Sequence, residues 1–274
     1  MSTNLEVGIV GLPNVGKSTL FNAITKAGAE AANYPFCTIE PNVGVVDVPD
    51  ARLAVLAEMF GSKRILPAAM RFVDIAGLVA GASKGEGLGN KFLSHIRQVD
   101  AIAQVIRCFD DPNITHVAGS VDPVRDIEII NTELCLADLE SVDKRLQRIA
   151  KLAKSGDKDA RVEAPILEKV SAALGDAIPV RAQGLTEDEL EILKDLTLLT
   201  AKKSLYVANV GEDEVSDYSG NEFVKQVEDY ATKEGSGVVV VSARIESEIT
   251  ELSDEEATAF LADLGLEESG LTKL

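Results

Sequence analysis

Histidine and cysteine are scarce in this chain, and their scarcity removes whole classes of chemistry. Only His95 and His116 occur in 274 residues, together with Cys37, Cys108 and Cys135. The thiols are far apart, form no Cys-x-x-Cys pair and are odd in number. Neither a zinc site nor a disulfide frame can be assembled from them, and they read as reduced thiols of a cytoplasmic protein. No stretch approaches the run of about 18 apolar residues that a membrane span requires, so no membrane partner is expected. The N-terminus lacks a basic segment ahead of an apolar core, which argues against a secretory leader. Positive charge is also short, with 27 Lys and Arg against 45 Asp and Glu, a net charge of −18. That balance disfavours DNA and anionic membranes as partners, while leaving room for a local basic face. What remains is ordinary globular composition, 46% hydrophobic and 26% charged. It suffices for one α/β domain and a smaller second unit.

Residues 11–18 read Gly-Leu-Pro-Asn-Val-Gly-Lys-Ser, the spacing of a phosphate-binding loop. An apolar run at Val7–Val10 precedes the loop and a helical pattern at Leu20–Ile24 follows it. In that strand, loop and helix context an ordinary glycine-rich turn is the weaker reading. Gly11 and Gly16 let backbone N–H groups wrap an anion at a helix N-terminus. Lys17 adds a point charge at the β- and γ-phosphates, and the Ser18 hydroxyl suits Mg²⁺. A second apolar strand ends in Asp74-Ile-Ala-Gly77, where Asp74 can support the metal and the Gly77 N–H can approach the γ-phosphate. Between them lies Asn33-Tyr-Pro-Phe36-Cys-Thr38-Ile-Glu-Pro41, in which Thr38 is the candidate switch threonine and second metal hydroxyl. Five glycines from Gly77 to Gly89 make the next segment loose enough to answer to a γ-phosphate.

Base selection departs from the guanine pattern. A guanine-reading loop presents Asn-Lys-x-Asp after a strand, but Leu205–Ala208 here runs into Asn209-Val210-Gly211-Glu212. Glu212 carries an extra methylene, Val210 replaces the lysine that would lie along the base, and an Asn amide suits adenine N6 and N7. The strand Val238–Val241 then ends in Ser242-Ala243, a second base-contacting segment. Phe109 closes the run Ile102–Phe109 near where the base should lie, either stacking on adenine or packing in the core.

The phosphate loop, the Asn33–Asn42 segment, Asp-Ile-Ala-Gly-Leu-Val and Asn-x-x-Glu together resemble the Obg-like ATPases of the YchF type, over essentially the whole chain. The resemblance implies an α/β fold, a Ras-like P-loop domain whose mostly parallel sheet is flanked by helices. It also implies an inserted antiparallel helical coiled-coil hairpin, ATP hydrolysis with Mg²⁺ and association with ribosomes. Relatives of this type carry a C-terminal TGS domain, which would begin where this chain stops at Leu274.

Periodicity places the insertion. Asp122 and Pro123 read as a helix start, and Ile127, Ile130, Leu134, Val142, Leu146 and Ile149 recur at helical intervals up to Ser155-Gly-Asp157. Ile166, Leu167, Val170 and Leu174 supply the return helix, and capping boxes open helices at Thr186 and Ser253. The expected organisation is a nucleotide domain over residues 1–120 and 203–274, with a helical insertion over 121–202. From Lys144 to Arg161, seven basic residues face two acidic ones, as either a solvated face or a footprint for ribosomal RNA.

The candidate nucleotide-binding residues are Asn14, Val15, Gly16, Lys17, Ser18, Thr19, Phe36, Thr38, Phe109, Asn209, Val210, Glu212, Ser242 and Ala243. Metal ligation falls to Ser18, Thr38 and Asp74, and catalysis to Lys17, Gly77 and His116. Leu78 and Val79 follow Asp-x-x-Gly where many GTPases place a water-orienting glutamine, so hydrolysis should be slow without a partner. His95 shares a polar helix face with Lys91, Ser94 and Gln98 and reads as solvated. His116, in the loop after Phe109, could swing toward the γ-phosphate and act on water. A GTPase with a degenerate base loop, or a nucleotide-gated binding module with negligible turnover, are the competing functions.

Overall fold

The computed structural model of the chain describes residues 5–31, 42–75, 88–116 and 118–274, with the backbone alone at 27–31 and 88–90. Strand β1 (Leu5–Val10) buries Val7, Ile9 and Val10 because the sheet is covered on both faces. It lies inside a six-stranded sheet with β2 (Val43–Asp47), β3 (Ala69–Asp74), β4 (Ala101–Arg107), β5 (Lys203–Asn209) and β6 (Gly237–Val241). The order is β2-β3-β1-β4-β5-β6, and all pairs are parallel except β2 with β3. The registers Ile9↔Asp74, Arg107↔Asn209 and Asn209↔Val241 bring the C-terminal ends of five parallel strands to one edge. In open α/β sheets that edge is where ligands bind.

Helix α1 (Lys17–Ala31) follows β1 directly, whereas α2 (Ala51–Phe60) joins β2 to β3 and buries none of its residues. Asp50 caps α2, and Gly61 ends it in the left-handed conformation. The sequence reading had not separated β2 and α2 from the surrounding loops. Helix α3 (Leu88–Gln98) leads to β4 and leaves His95 exposed, as its polar face implied.

The inserted hairpin starts as the sequence suggests. Asp122 accepts from the Arg125 N–H, Pro123 occupies the first turn, and α4 runs Pro123–Lys154. After the Ser155–Asp157 turn, α5 (Lys158–Gly175) packs back, enclosing a core of Cys135, Val142, Ile149, Leu167, Val170 and Leu174. Helix α6 (Glu187–Leu193) then opens with a capping box of Thr186 and Glu189. Cys108 and Cys135 are unpaired and buried, and burial pushes both thiols up, Cys135 to about 12.

Two polar clusters fix the base of the hairpin to the sheet. Asp138 on α4 accepts from the N–H groups of Leu199 (2.9 Å) and Thr200 (2.8 Å) and from the Thr200 hydroxyl (2.7 Å). Arg181 donates to Asn131 Oδ1 and to Glu234, both at 2.8 Å, while the Tyr206 hydroxyl donates to Glu234 at 2.6 Å. Glu234 ends α7 (Glu222–Glu234), so α4, β5 and α7 meet in one buried network. Helices α8 (Ala243–Ile249), α9 (Asp254–Asp263) and α10 (Gly270–Lys273) complete the described chain.

Candidate functional site

The phosphate loop bends through two residues in the left-handed region, Asn14 (φ 65°) and Gly16 (φ 92°). Gly16 is required on two counts. Its φ disfavours other residues, and a Cβ there would run into the Asn209 side-chain amide. Helix α1 begins immediately, with the Leu20 N–H bonded to Gly16 O at 3.0 Å, leaving Ser18 and Thr19 exposed on its first turn. Free N–H groups at that terminus, with the helix dipole, form an anion seat. The Lys17 ammonium pairs with the Asp74 carboxylate, which stands at the end of β3. Thus the structure brings Lys17 and Asp74 together at the strand edge. Phe36, Thr38 and Gly77 lie outside the described residues.

Opposite the loop opens a cleft of about 1190 Å³. Asn14, Gly16 and Thr19 line one side, Asn209, Val210 and Glu212 another, and Phe109, Ser242 and Ala243 complete the candidates present. Three of these side chains have contacts within the protein. Asn209 is buried, donates its amide N–H to Val15 O at 2.9 Å and accepts from the Ala243 N–H at 2.9 Å. One N–H and one lone pair of the amide are thus used, so the side chain braces the phosphate loop to α8 while a second N–H and lone pair remain. The Val210 side chain is buried, in one apolar cluster with Tyr206 and Val224. Phe109 falls two residues beyond β4, half-buried, with the Arg107 guanidinium 4.6 Å from its ring centroid.

His116 is where the structure departs from the predicted chemistry. Its ring is buried, with Nε2 2.8 Å from Asp126 Oδ2 on α4 and Nδ1 accepting from the Ala118 N–H at 3.1 Å. With both nitrogens engaged, it ties the β4–α4 loop to the hairpin and does not face the phosphate loop in this arrangement. Its neighbour Thr115 does touch that loop, since Asn14 Nδ2 donates to Thr115 O at 3.0 Å.

Several contributing residues escaped the sequence reading. Arg107, fully buried, donates to the carbonyls of Phe109 (3.1 Å), Ile114 (2.9 Å) and Asp111 (3.3 Å), shaping the cleft wall. A lone arginine within an apolar strand was the available signal. Asn221 caps α7 and donates to Cys108 O at 2.9 Å, and Arg244 pairs with Glu212 at 2.8 Å. Asn221 precedes an apolar helical pattern, which could have exposed it.

Among the described residues no group of three or more His, Cys, Asp or Glu could hold a metal. The donor chemistry still suits Mg²⁺, which takes one or two protein oxygens and keeps waters and substrate phosphates. Ser18 and Asp74 are hard oxygen donors of that kind.

Comparison with known proteins agrees with this geometry. The family described as "50S ribosome-binding GTPase" matches residues 6–153. The ribosome-binding ATPase YchF of Bacillus subtilis is 62% identical over 98% of this chain and 74% of its own length. That of Haemophilus influenzae is 58% identical over 98% and 73%. Among solved structures, YchF of Schizosaccharomyces pombe, described as a GTPase, superposes with a TM-score of 0.85 at 42% identity, over 98% of this chain and 73% of that one. From its phosphate loop to its inserted hairpin, the chain belongs to the YchF family of P-loop nucleoside triphosphatases.

Proposed function

We propose that this chain is a ribosome-associated, cytoplasmic ATP switch in which hydrolysis resets a conformation. The observation that carries the base choice is the Asn209–Glu212 loop, which offers guanine neither the lysine nor an unengaged aspartate. The names of the relatives divide on this point, ATPase for the bacterial proteins and GTPase for the yeast structure. Lys17 and the loop N–H groups would stabilise charge on the transferring phosphoryl group. Ser18, Thr38 and Asp74 would hold Mg²⁺, and Asp74 would exchange its pairing with Lys17 for that role. Mg²⁺ would supply charge neutralisation across the β- and γ-oxygens. Gly77 would report γ-phosphate occupancy to the glycine-rich segment behind it. Phe109 and the backbone around Val210 and Ser242 would form the base slot.

The partner contact is assigned to the hairpin tip. Arg148, Lys151, Lys154 and Lys158 are exposed and make no ion pair among the described residues. Lys144 and Arg145 are already paired with Glu140 and Glu163. In a chain of net charge −18, such a face favours one orientation on ribosomal RNA and repels phosphate elsewhere. No helix among the described residues is long and apolar enough to cross a membrane.

Calorimetric affinities for ATP, ADP, GTP and GDP test the base choice, and equal affinities for ATP and GTP would reject it. Phosphate release with and without ribosomes separates a switch from a binding module without turnover. His116→Ala adds a further distinction. Lost turnover with intact ATP binding would mean that the ring leaves Asp126 during the cycle to orient water. Unchanged turnover would restrict it to holding the loop on α4.

A further inference from the structure

Six carboxylates line the cleft, at Asp110, Asp111, Glu212, Asp213, Glu214 and Glu222. Arg244 is the one cation among the described residues that line it. This arginine is the second residue of α8, directly after Ser242-Ala243. Its Nη1 donates to Glu212 Oε1 at 2.8 Å, and its Nε lies 3.6 Å from Glu248 Oε1, one helical turn further on. The guanidinium thus pairs with Glu212 and lies close to Glu248.

We propose that Arg244 is a specificity-determining residue, which occupies the Glu212 carboxylate and so denies it to guanine. The inference rests on the adenine reading above and names the device that excludes the other purine. Guanine presents two adjacent donors, N1–H and the 2-amino group, and a carboxylate in register with them is the standard means of holding it. Adenine presents no such donor pair at that edge, so an occupied carboxylate costs it nothing. To use Glu212, guanine must first break a charge-assisted bond. Discrimination of this kind works by penalising the wrong ligand as much as by rewarding the right one. Without Arg244, Glu212 would stand among five other carboxylates with no cation beside it, an acceptor open to guanine. The side chains of the pair are 72% and 42% exposed, so the pair adds little to fold stability and its removal leaves the protein folded. Its consequence is confined to what Glu212 can accept.

The test measures ATP and GTP affinities calorimetrically, in Mg²⁺ buffer, for the unsubstituted chain, Arg244→Ala, Glu212→Gln and the double variant. Arg244→Ala should tighten GTP binding by about threefold to fivefold, the scale of releasing an exposed ion pair, and leave ATP within about twofold. In the Glu212→Gln background the same replacement should leave GTP affinity unchanged, which a general loosening of α8 would not do. Unaltered GTP affinity in Arg244→Ala, or an equal gain in both backgrounds, overturns the proposal. The unsubstituted chain tests the adenine reading separately. Equal ATP and GTP affinities there reject that reading, while the response of GTP to Arg244→Ala still decides the role of Arg244.

Discussion

Replacing Asn209 by alanine deletes two hydrogen bonds that join the phosphate loop to α8, each 2.9 Å long and buried. The groups left behind are the Val15 carbonyl and the Ala243 N–H, both on residues with almost no exposed surface. A buried polar group stripped of its partner costs about 1–3 kcal/mol, so the two together should cost about 2–6 kcal/mol of stability. With a urea slope of about 3 kcal/mol per molar for a chain of this size, the unfolding midpoint should fall by about 0.7–2 M. Asn209→Asp sharpens the test. One carboxylate oxygen can still accept from Ala243, but the other would face the Val15 carbonyl, acceptor against acceptor. The near-isosteric change should therefore destabilise at least as much as truncation. Nucleotide affinity should drop about tenfold or more in both variants, since each 1.4 kcal/mol of lost loop order is a factor of ten. A midpoint shift below about 0.2 M, or Asn209→Asp behaving as the parent, would refute the bracing role.

Gly16→Ala should abolish measurable ATP binding, because the new Cβ meets the Asn209 amide at a φ of 92°; binding within threefold of the parent would contradict this geometry. Replacing Arg148, Lys151 and Lys154 by Glu should weaken ribosome co-sedimentation while ATP affinity holds. For the parent, association should fall steadily as salt rises; undiminished association of the triple variant would remove the hairpin tip as the docking face. Asp138→Asn supplies a pH test. Burial pushes the Asp138 carboxyl up against the pull of its three hydrogen bonds. A raised folded value means its contribution is fully present below about pH 3.8 and is lost as pH climbs through the folded value. The cost of Asp138→Asn in urea midpoint should therefore shrink from acidic to neutral pH, and a cost that grows with pH would reverse the sign of the reasoning.

Local signals with strict spacing were legible in the sequence. The phosphate loop, the Asp122 and Pro123 helix start, the Ser155–Asp157 break and both capping boxes reappear at the positions their chemistry required. Short or exposed elements were not. Strand β2 is five residues long and antiparallel at the sheet edge, and α2 buries nothing, so neither carries a strong periodic pattern. The placement of His116 and the bracing bonds of Asn209 were not legible, for a common reason. Residue type announces what a side chain can bond, but its partner was decided by residues far along the chain. Asn209 is claimed by Val15 and Ala243, and His116 by Asp126. Buried amides and imidazoles satisfy themselves internally whenever the fold offers a match.

Helix α4 has 32 residues, a rod about 48 Å long at 1.5 Å per residue. Its fixed points are Asp126, Asn131 and Asp138, all within the half nearest the sheet. Beyond Asp138 about 24 Å of the rod runs on to Lys154, packed against its return helix and the α6 region. The geometry is that of a crank. A tilt of about 5° at the last pin would carry the free end through about 2 Å, given that length. The first pin, Asp126, is gripped by the residue next to Thr115, and Asn14 of the phosphate loop holds the Thr115 carbonyl. A displacement of the phosphate loop too small to reshape the cleft would thus arrive at the basic tip enlarged.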